Sequence, residues 1–220
     1  MDPIFEQIKL EAEKYLSCSA HGMDHCMRVY FLALQIAEDE NIDLEILQAA
    51  AILHDIGGGK ETADPTGQTD HALEGAIMAR HILEQLNFPQ EKIQHVQDCI
   101  STHRFKANRI PQTKEAQIIF EADKIDALGA VGVARHFIWI GNNKAHMYKK
   151  QNIEKYIQEN MHEKRIMDKT KHSPQIEYEI KIKHIINKIK TPKGRQICKE
   201  RTEFFKNFLD RLEEEAKYTP

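Results

Sequence analysis

Residues 49–60 read AAAILHDIGGGK. An apolar run of helical character stops at an adjacent imidazole and carboxylate, His54 and Asp55, and passes at once into three glycines and Lys60. A His-Asp pair at the end of a buried helix costs several kcal/mol if left unpaired, so the stretch calls for a hydrogen-bonded pair or a metal ion. Which of the two it is depends on what stands on either side.

Upstream, Asp24 has the chemistry of an N-cap for a helix from His25 to about Glu38. Val29, Leu32, Ala33 and Ile36 make its buried stripe, and His25 continues that stripe at the N-terminal end. A short turn at Asn41 to Asp43 leads into a helix from about Leu44 to His54, with Leu47, Ala50, Ala51 and His54 inward. So short a connection predicts an antiparallel pair. Helices of about 10–14 residues rise about 15–20 Å, so His25 and His54 meet at one end of the hairpin.

Downstream, residues 56–70 (IGGGKETADPTGQTD) read as a long loop. Asp70 then caps a helix from His71 to Leu86, with Gly75, Met78, Ile82 and Leu86 on its apolar positions. A helix from Gln90 to His103 follows, in which Ile93, Val96 and Ile100 lead to His103, repeating the pattern of His54. After a basic loop at Arg104 to Thr113, a helix from Glu115 to about Gly129 carries Asp123 on the face of Ala116, Ile119, Phe120 and Ala127. A buried aspartate on an apolar stripe has to meet a cation or a cluster of donors. Periodicity alone leaves Asp126 as an alternative to it.

The flanks carry less chemistry. Ile4 to Tyr15 reads as a short amphipathic helix, Val131 to Trp139 as buried helix, and residues 140–175 as a mobile polar insertion with one helix. Ile176 to Ile189 predicts a further helix, Thr191 to Gly194 a turn, and Gln196 to Ala216 a terminal helix with Phe204, Phe205, Phe208, Leu209 and Leu212 inward. The fold class is therefore all-α, as one domain over residues 1–220 with its core at about 20–140 and a helical extension at 141–220 packed on it.

Composition narrows the function classes. The 220 residues are 41% hydrophobic and 30% charged, with net charge −3, which suits a soluble protein and gives no basic face for duplex nucleic acid. No apolar run reaches membrane-spanning length and the start lacks a signal-peptide layout, so the expected location is cytoplasmic. Cys18, Cys26, Cys99 and Cys198 show no CxxC spacing and read as buried or free thiols. A homodimer is compatible with this composition.

Two imidazoles and two carboxylates, His25, His54, Asp55 and Asp123, suit one divalent transition ion (Mn, Fe, Co, Ni or Zn) and suit calcium poorly. Four protein ligands leave coordination positions for water and substrate oxygens, and such an ion acidifies water and polarises a phosphoryl oxygen. Lys60 and Lys124 offer charges for phosphate, and His71 and His103 line the same region.

The ordered segments HGMDHCMRV (21–29), ILHDIG (52–57), STHRF (101–105), EADKIDALGA (121–130), GAVGVAR (129–135) and TPKGRQICKER (191–201) resemble the HD-domain metal-dependent phosphohydrolases, closest to the small stand-alone bacterial and archaeal members. The likeness implies an all-helical HD bundle and hydrolysis of a phosphate ester or anhydride by metal-activated water. Small-molecule nucleotides are a frequent substrate class, and some relatives cleave nucleoside triphosphates to monophosphate and pyrophosphate. It maps the first metal-ligand histidine to His25, leaving His21 as a neighbour, and the last ligand to Asp123, with Asp126 supporting from behind. It also implies two alternatives: a second metal on His71 and His103, which in some relatives serves a di-iron oxygenase, and a nucleotide-sensing module without turnover. His81, His95, His136, His146, His162, His172 and His184 are read as surface or packing residues.

Overall fold

The computed structural model describes residues 2–16, 22–104, 109–162 and 165–216. The described chain is helical apart from one two-stranded hairpin, so the all-α expectation holds. It forms two compact units, Met1–Asp126 and Ala127–Pro220.

The first unit is built around α3 (Leu44–Leu53), which packs against α1 (Pro3–Glu13), α6 (Gln90–Thr102) and α7 (Lys114–Asp126), and most extensively against α2 (Met23–Ile36). Every residue of α3 from Ala49 to Leu53 is buried, because three consecutive alanines let neighbouring helices close on several sides of it. Burial of Leu47, Ile52 and Leu53 contributes about 1.5–3 kcal/mol each. Asp43 caps α3 through the amides of Glu45 and Ile46. The next pair is α5 (His71–Gln85) on α6, with Asp70 capping α5 through the amide of Ala72. Asn87, at φ 53, makes the left-handed turn between them, a conformation asparagine tolerates.

Several boundaries differ from the sequence reading. The helix of His25 begins at Met23 behind Gly22, so Asp24 lies in its first turn and is not its cap. The predicted loop at 56–70 contains a short helix, α4 (Gly58–Ala63), followed by a turn in which Asp64 accepts from the amides of Thr66, Gln68 and Thr69. In α5 the buried face is Ala72, Gly75, Ala76, Ala79, Ile82 and Leu83, with Met78 and Leu86 at its margin.

The second unit is described by itself. Its α8 (Gly129–Asn142) is amphipathic, burying Gly129, Gly132, Val133 and Ile140, where full burial was expected. α9 (Ile153–Asn160) runs into the hairpin of β1 (Met161–His162) and β2 (Arg165–Ile166), which periodicity could not reveal at two residues per strand. The predicted helix at 176–189 is split at Lys181 into α10 (Pro174–Ile180) and a 3-10 segment, Ile182–Lys188. The predicted turn at 191–194 is instead the start of α11 (Pro192–Ala216), since proline is well suited to a helix's first turn. On α11, Phe205 and Leu209 are buried while Phe204 and Phe208 are exposed, a narrower stripe than expected. Cys26, Cys99 and Cys198 are buried cysteines in no disulfide, and Cys18 lies outside the described residues. Among the described residues no helix is long and apolar enough to cross a membrane.

Candidate metal centre

Helix ends of the first unit bring their histidines together. His25 is in the first turn of α2 and His54 is the C-cap of α3, and their Nε2 atoms stand 3.2 Å apart. His71 opens α5 and His103 is the C-cap of α6, and their Nε2 atoms are again 3.2 Å apart. Asp55 lies between the pairs. Its Oδ2 is 3.5 Å from His25 Nε2 and 3.8 Å from His54 Nε2, while its Oδ1 is 3.6 Å from His71 Nε2 and 3.5 Å from His103 Nε2. Asp123 joins the first group, with Oδ1 3.4 Å from His25 Nε2. Two ligand sets result, His25–His54–Asp55 and Asp55–His71–His103, each with its donor atoms within 4.8 Å of one another.

The close approach that puts His71 beside Asp55 needs glycine. A Cβ on Gly57 would lie 2.2 Å from the His71 carbonyl oxygen and 2.7 Å from the Gly75 amide nitrogen. Gly58 has nothing within 4 Å, so of the glycines at 57 and 58 only the first is demanded by packing.

Whether these residues fit a divalent ion can be tested on their tautomers. The Nδ1–H of His54 donates to the Ala51 carbonyl at 2.8 Å, and that of His103 to the Ile100 carbonyl at 2.6 Å. His25 Nδ1 is 2.8 Å from Asp126 Oδ2, and His71 Nδ1 is 2.6 Å from Glu61 Oε2. With every Nδ1 committed as a donor, each ring in its neutral form presents an Nε2 lone pair to its neighbour and to carboxylate oxygens. Lone pairs facing lone pairs at 3.2 Å repel unless a proton or a metal ion stands between them. Ligand bonds of about 2.0–2.1 Å put neighbouring ligands about 2.8–3.4 Å apart in octahedral or tetrahedral geometry, and the separations found, 3.2–3.8 Å, lie at or slightly beyond the upper end of that range. The residues fit a divalent ion in each group.

The electrostatics agree. Burial pushes His54 down to about 4, so it is neutral at pH 7, as a ligand must be. Burial also lowers His71, with His103 adding to the effect. Burial opposes charge on His25 as well, but Asp123 and Asp126 outweigh it and push the ring up to about 9. The two carboxylates thus draw a proton onto His25 where a divalent ion would otherwise sit, and binding the ion would release that proton. Burial alone would raise Asp123, yet the ammonium of Lys124 and the ring of His25 hold its carboxyl well below the usual carboxylate range.

Among the other expected site residues, Asp126 is 1% exposed and receives Arg28 through two contacts, Nε to Oδ1 at 2.8 Å and Nη2 to Oδ2 at 3.1 Å. Lys124 pairs with Asp123 Oδ2 and lies over the Phe120 ring. Lys60 is half-exposed, and its ammonium is 2.8 Å from Glu74, outside both ligand sets. His21 lies outside the described residues. Sequence reasoning missed Arg28, Glu61 and Arg104, although Arg28 sits inside the HCMRV segment one turn after His25.

An all-helical domain whose helix ends converge on a histidine and aspartate centre fit for divalent ions belongs to a recognisable class. Residues 22–128 match the model of the HD domain, and this part of the chain is an HD domain. The matched region runs from the cap of α2 to just beyond α7 and so contains both ligand sets. The uncharacterised protein YpgQ of Bacillus subtilis is 30% identical over 148 residues, covering 62% of this chain and 66% of that one. The crystal structure of YpgQ in complex with ADP superposes with a TM-score of 0.72 at 25% identity, over 96% of this chain and 94% of that one. A predicted HD superfamily hydrolase from an uncultured Thermotogales bacterium gives a TM-score of 0.62 at 26% identity, over 97% and 91% of the two chains. The 3'-5' exoribonuclease YhaM of Bacillus subtilis is 31% identical over 118 residues, which are 47% of this chain and 37% of that protein. The match thus spans just under two thirds of the first of these curated relatives and little over a third of the exoribonuclease.

Proposed function

We propose that the chain is a metal-dependent phosphohydrolase acting on a nucleotide or another small phosphate ester or anhydride. The observation that carries this reading is the disposition of four imidazole Nε2 lone pairs around the two oxygens of Asp55. His25, His54, Asp55 and Asp123 would hold the first ion, and Asp55, His71 and His103 would hold the second. Ions so held supply Lewis acidity at a phosphoryl oxygen and acidify water at neutral pH.

The chain's own residues do the rest. Backbone carbonyls and carboxylates lock each ring in the tautomer that offers Nε2, so no proton has to be removed from His54 when it binds. Lys124 keeps Asp123 ionised and is the better placed of the two lysines to meet substrate charge, because its partner belongs to the centre whereas Lys60 pairs with Glu74 outside both ligand sets. In hydrolysis a water oxygen bonds to phosphorus as the ester or anhydride oxygen departs, and the proton lost by water ends on the leaving group or on solvent.

The nucleotide preference is supported by ADP in the YpgQ structure, and phosphodiester chemistry by the name of YhaM. A di-iron oxygenase is the second reading, favoured by the five residues of the two adjoining groups together with Asp123 beside His25. The test is a screen of nucleotides, phosphomonoesters and cyclic dinucleotides against Mn²⁺, Fe²⁺, Co²⁺, Ni²⁺ and Zn²⁺, with phosphate and pyrophosphate release as the readout. Turnover should need metal and fall at least about 100-fold in His54→Ala. Release that persists after both metal stripping and His54→Ala refutes the hydrolase, and oxygen uptake with Fe²⁺ in place of phosphate release selects the oxygenase.

A further inference from the structure

The two ligand sets are built to one plan. Each takes one histidine from the first turn of a helix and one from the C-cap of the next, His25 with His54 and His71 with His103. In each, the C-cap ring donates Nδ1–H to the carbonyl three residues back. In each, the first-turn ring is held at Nδ1 by a carboxylate that is itself held by a guanidinium, His25–Asp126–Arg28 in one and His71–Glu61–Arg104 in the other.

The copies differ where affinity is decided. Asp126 is 1% exposed and takes two contacts from Arg28, whereas Glu61 is 31% exposed on the six-residue helix α4 and takes one contact from Arg104, at 2.7 Å. Arg104 also divides itself between Glu61 and Asp70, the latter at 3.2 Å. The first set has Asp123 in addition to Asp55, while the second has Asp55 alone, shared with the first. Fewer carboxylates and a solvent-screened anchor weaken the hold on a cation.

We propose that Glu61, fixed by Arg104, is the positioning residue of the second ion, and that this ion binds after the first and more weakly, so that its occupancy follows the supply of free divalent ion. The inference rests on the two-ion form of the hydrolase reading. Partners that orient a metal-bound histidine are worth about 10–100-fold in metal affinity, and here that factor falls on one step only.

The experiment is a stepwise Mn²⁺ titration of metal-stripped full-length protein, followed by calorimetry and by the electron paramagnetic resonance signal of a coupled ion pair. Wild type should show a tight step and a weaker one, the coupled signal growing with the second. Glu61→Gln should raise the dissociation constant of the second step about 10–100-fold and leave the first within twofold, and Arg104→Gln should do the same to a lesser degree. Both variants alter an exposed helix and its partner, and the melting temperature of the stripped proteins reports whether folding has changed. Equal weakening of both steps, or a second step untouched in both variants, overturns the proposal. Uptake of a single ion by wild type overturns it while leaving a one-ion hydrolase standing, and uptake of none sinks the parent reading.

Discussion

Replacing Gly57 with alanine sets two known effects against each other. Gly57 has φ −77 and ψ −9, a conformation alanine adopts freely, so on backbone grounds the change should stabilise by about 0.4–1 kcal/mol through a less disordered unfolded chain. Against this, the new Cβ would sit 2.2 Å from the His71 carbonyl oxygen, while real Cβ contacts essentially never fall under 3.0 Å, so the two backbones must part by at least 0.8 Å (3.0 − 2.2). The oxygen and the Gly75 amide struck at the same time are backbone atoms of an i to i+4 pair at the start of α5, so no flexible side chain can absorb the clash. Overpacking of this kind costs about 1–3 kcal/mol, which exceeds the gain. A displacement of 0.8 Å also exceeds the tolerance of about 0.5 Å within which a ligand set works, and it moves His71, now 3.6 Å from Asp55. Urea unfolding should therefore show Gly57→Ala destabilised, with weakened uptake of a second ion. Gly58→Ala, with open space around its Cβ, should be neutral or stabilised. If Gly57→Ala equals Gly58→Ala in stability and binds metal as wild type does, the close-approach reasoning is wrong.

Asp126→Asn replaces the carboxylate that accepts from both His25 and Arg28 with a group that can accept through only one oxygen. Affinity for the first ion should drop about 10–100-fold in a metal titration, and unchanged affinity would show that Asp126 does not orient the ring. In the second unit, burial pushes His136 down to about 4, and its Nε2 is buried without a hydrogen-bond partner. Above pH 6.5 the ring is neutral in both folded and unfolded states; as pH falls from 6.5 to about 4 only the unfolded chain takes the proton, so stability is lost in that window. The loss is bounded by about 3 kcal/mol, and His136→Phe should remove it. The lone tryptophan, Trp139, stacks on His136 and gives the fluorescence signal, and a wild-type-to-variant difference that is flat between pH 7 and pH 4 would refute the assignment.

The helices of the first unit were legible because their apolar spacing is regular and their punctuation is strong. Asp43 and Asp70 cap where their chemistry says they should, and His54 and His103 each close an apolar stripe at a helix end. Legibility failed where a local signal competes with tertiary packing. Three glycines with Thr, Asp and Pro carry loop propensity, yet Gly58–Ala63 coils into a turn and a half of helix. Thr191-Pro192-Lys193-Gly194 carries turn residues, and its proline serves as the start of a 25-residue helix. The second unit, with short elements and two-residue strands, offers too few periods for any pattern to register.

At the site, the residues that face the centre were readable one by one, because each histidine or aspartate breaks an apolar stripe and a break of that kind demands compensation. What periodicity could not supply is the partner behind each ring. Asp126 is 101 residues from His25, and periodicity alone offers it only as an alternative to Asp123, its supporting role coming with the family likeness, while Glu61 belongs to a helix that the sequence does not predict. Yet the partner decides the chemistry. A neutral histidine whose Nδ1–H is committed to a carbonyl or carboxylate can offer only the Nε2 lone pair, so neutral imidazoles anchored in this way cannot bond one another and need a proton or a metal ion between them. The same ring identities with free Nδ1 atoms would make a self-satisfied polar cluster in need of no ion. The distinction between a buried hydrogen-bonded network and a metal centre is therefore carried by atoms on the far side of the rings, from Ala51, Ile100, Asp126 and Glu61.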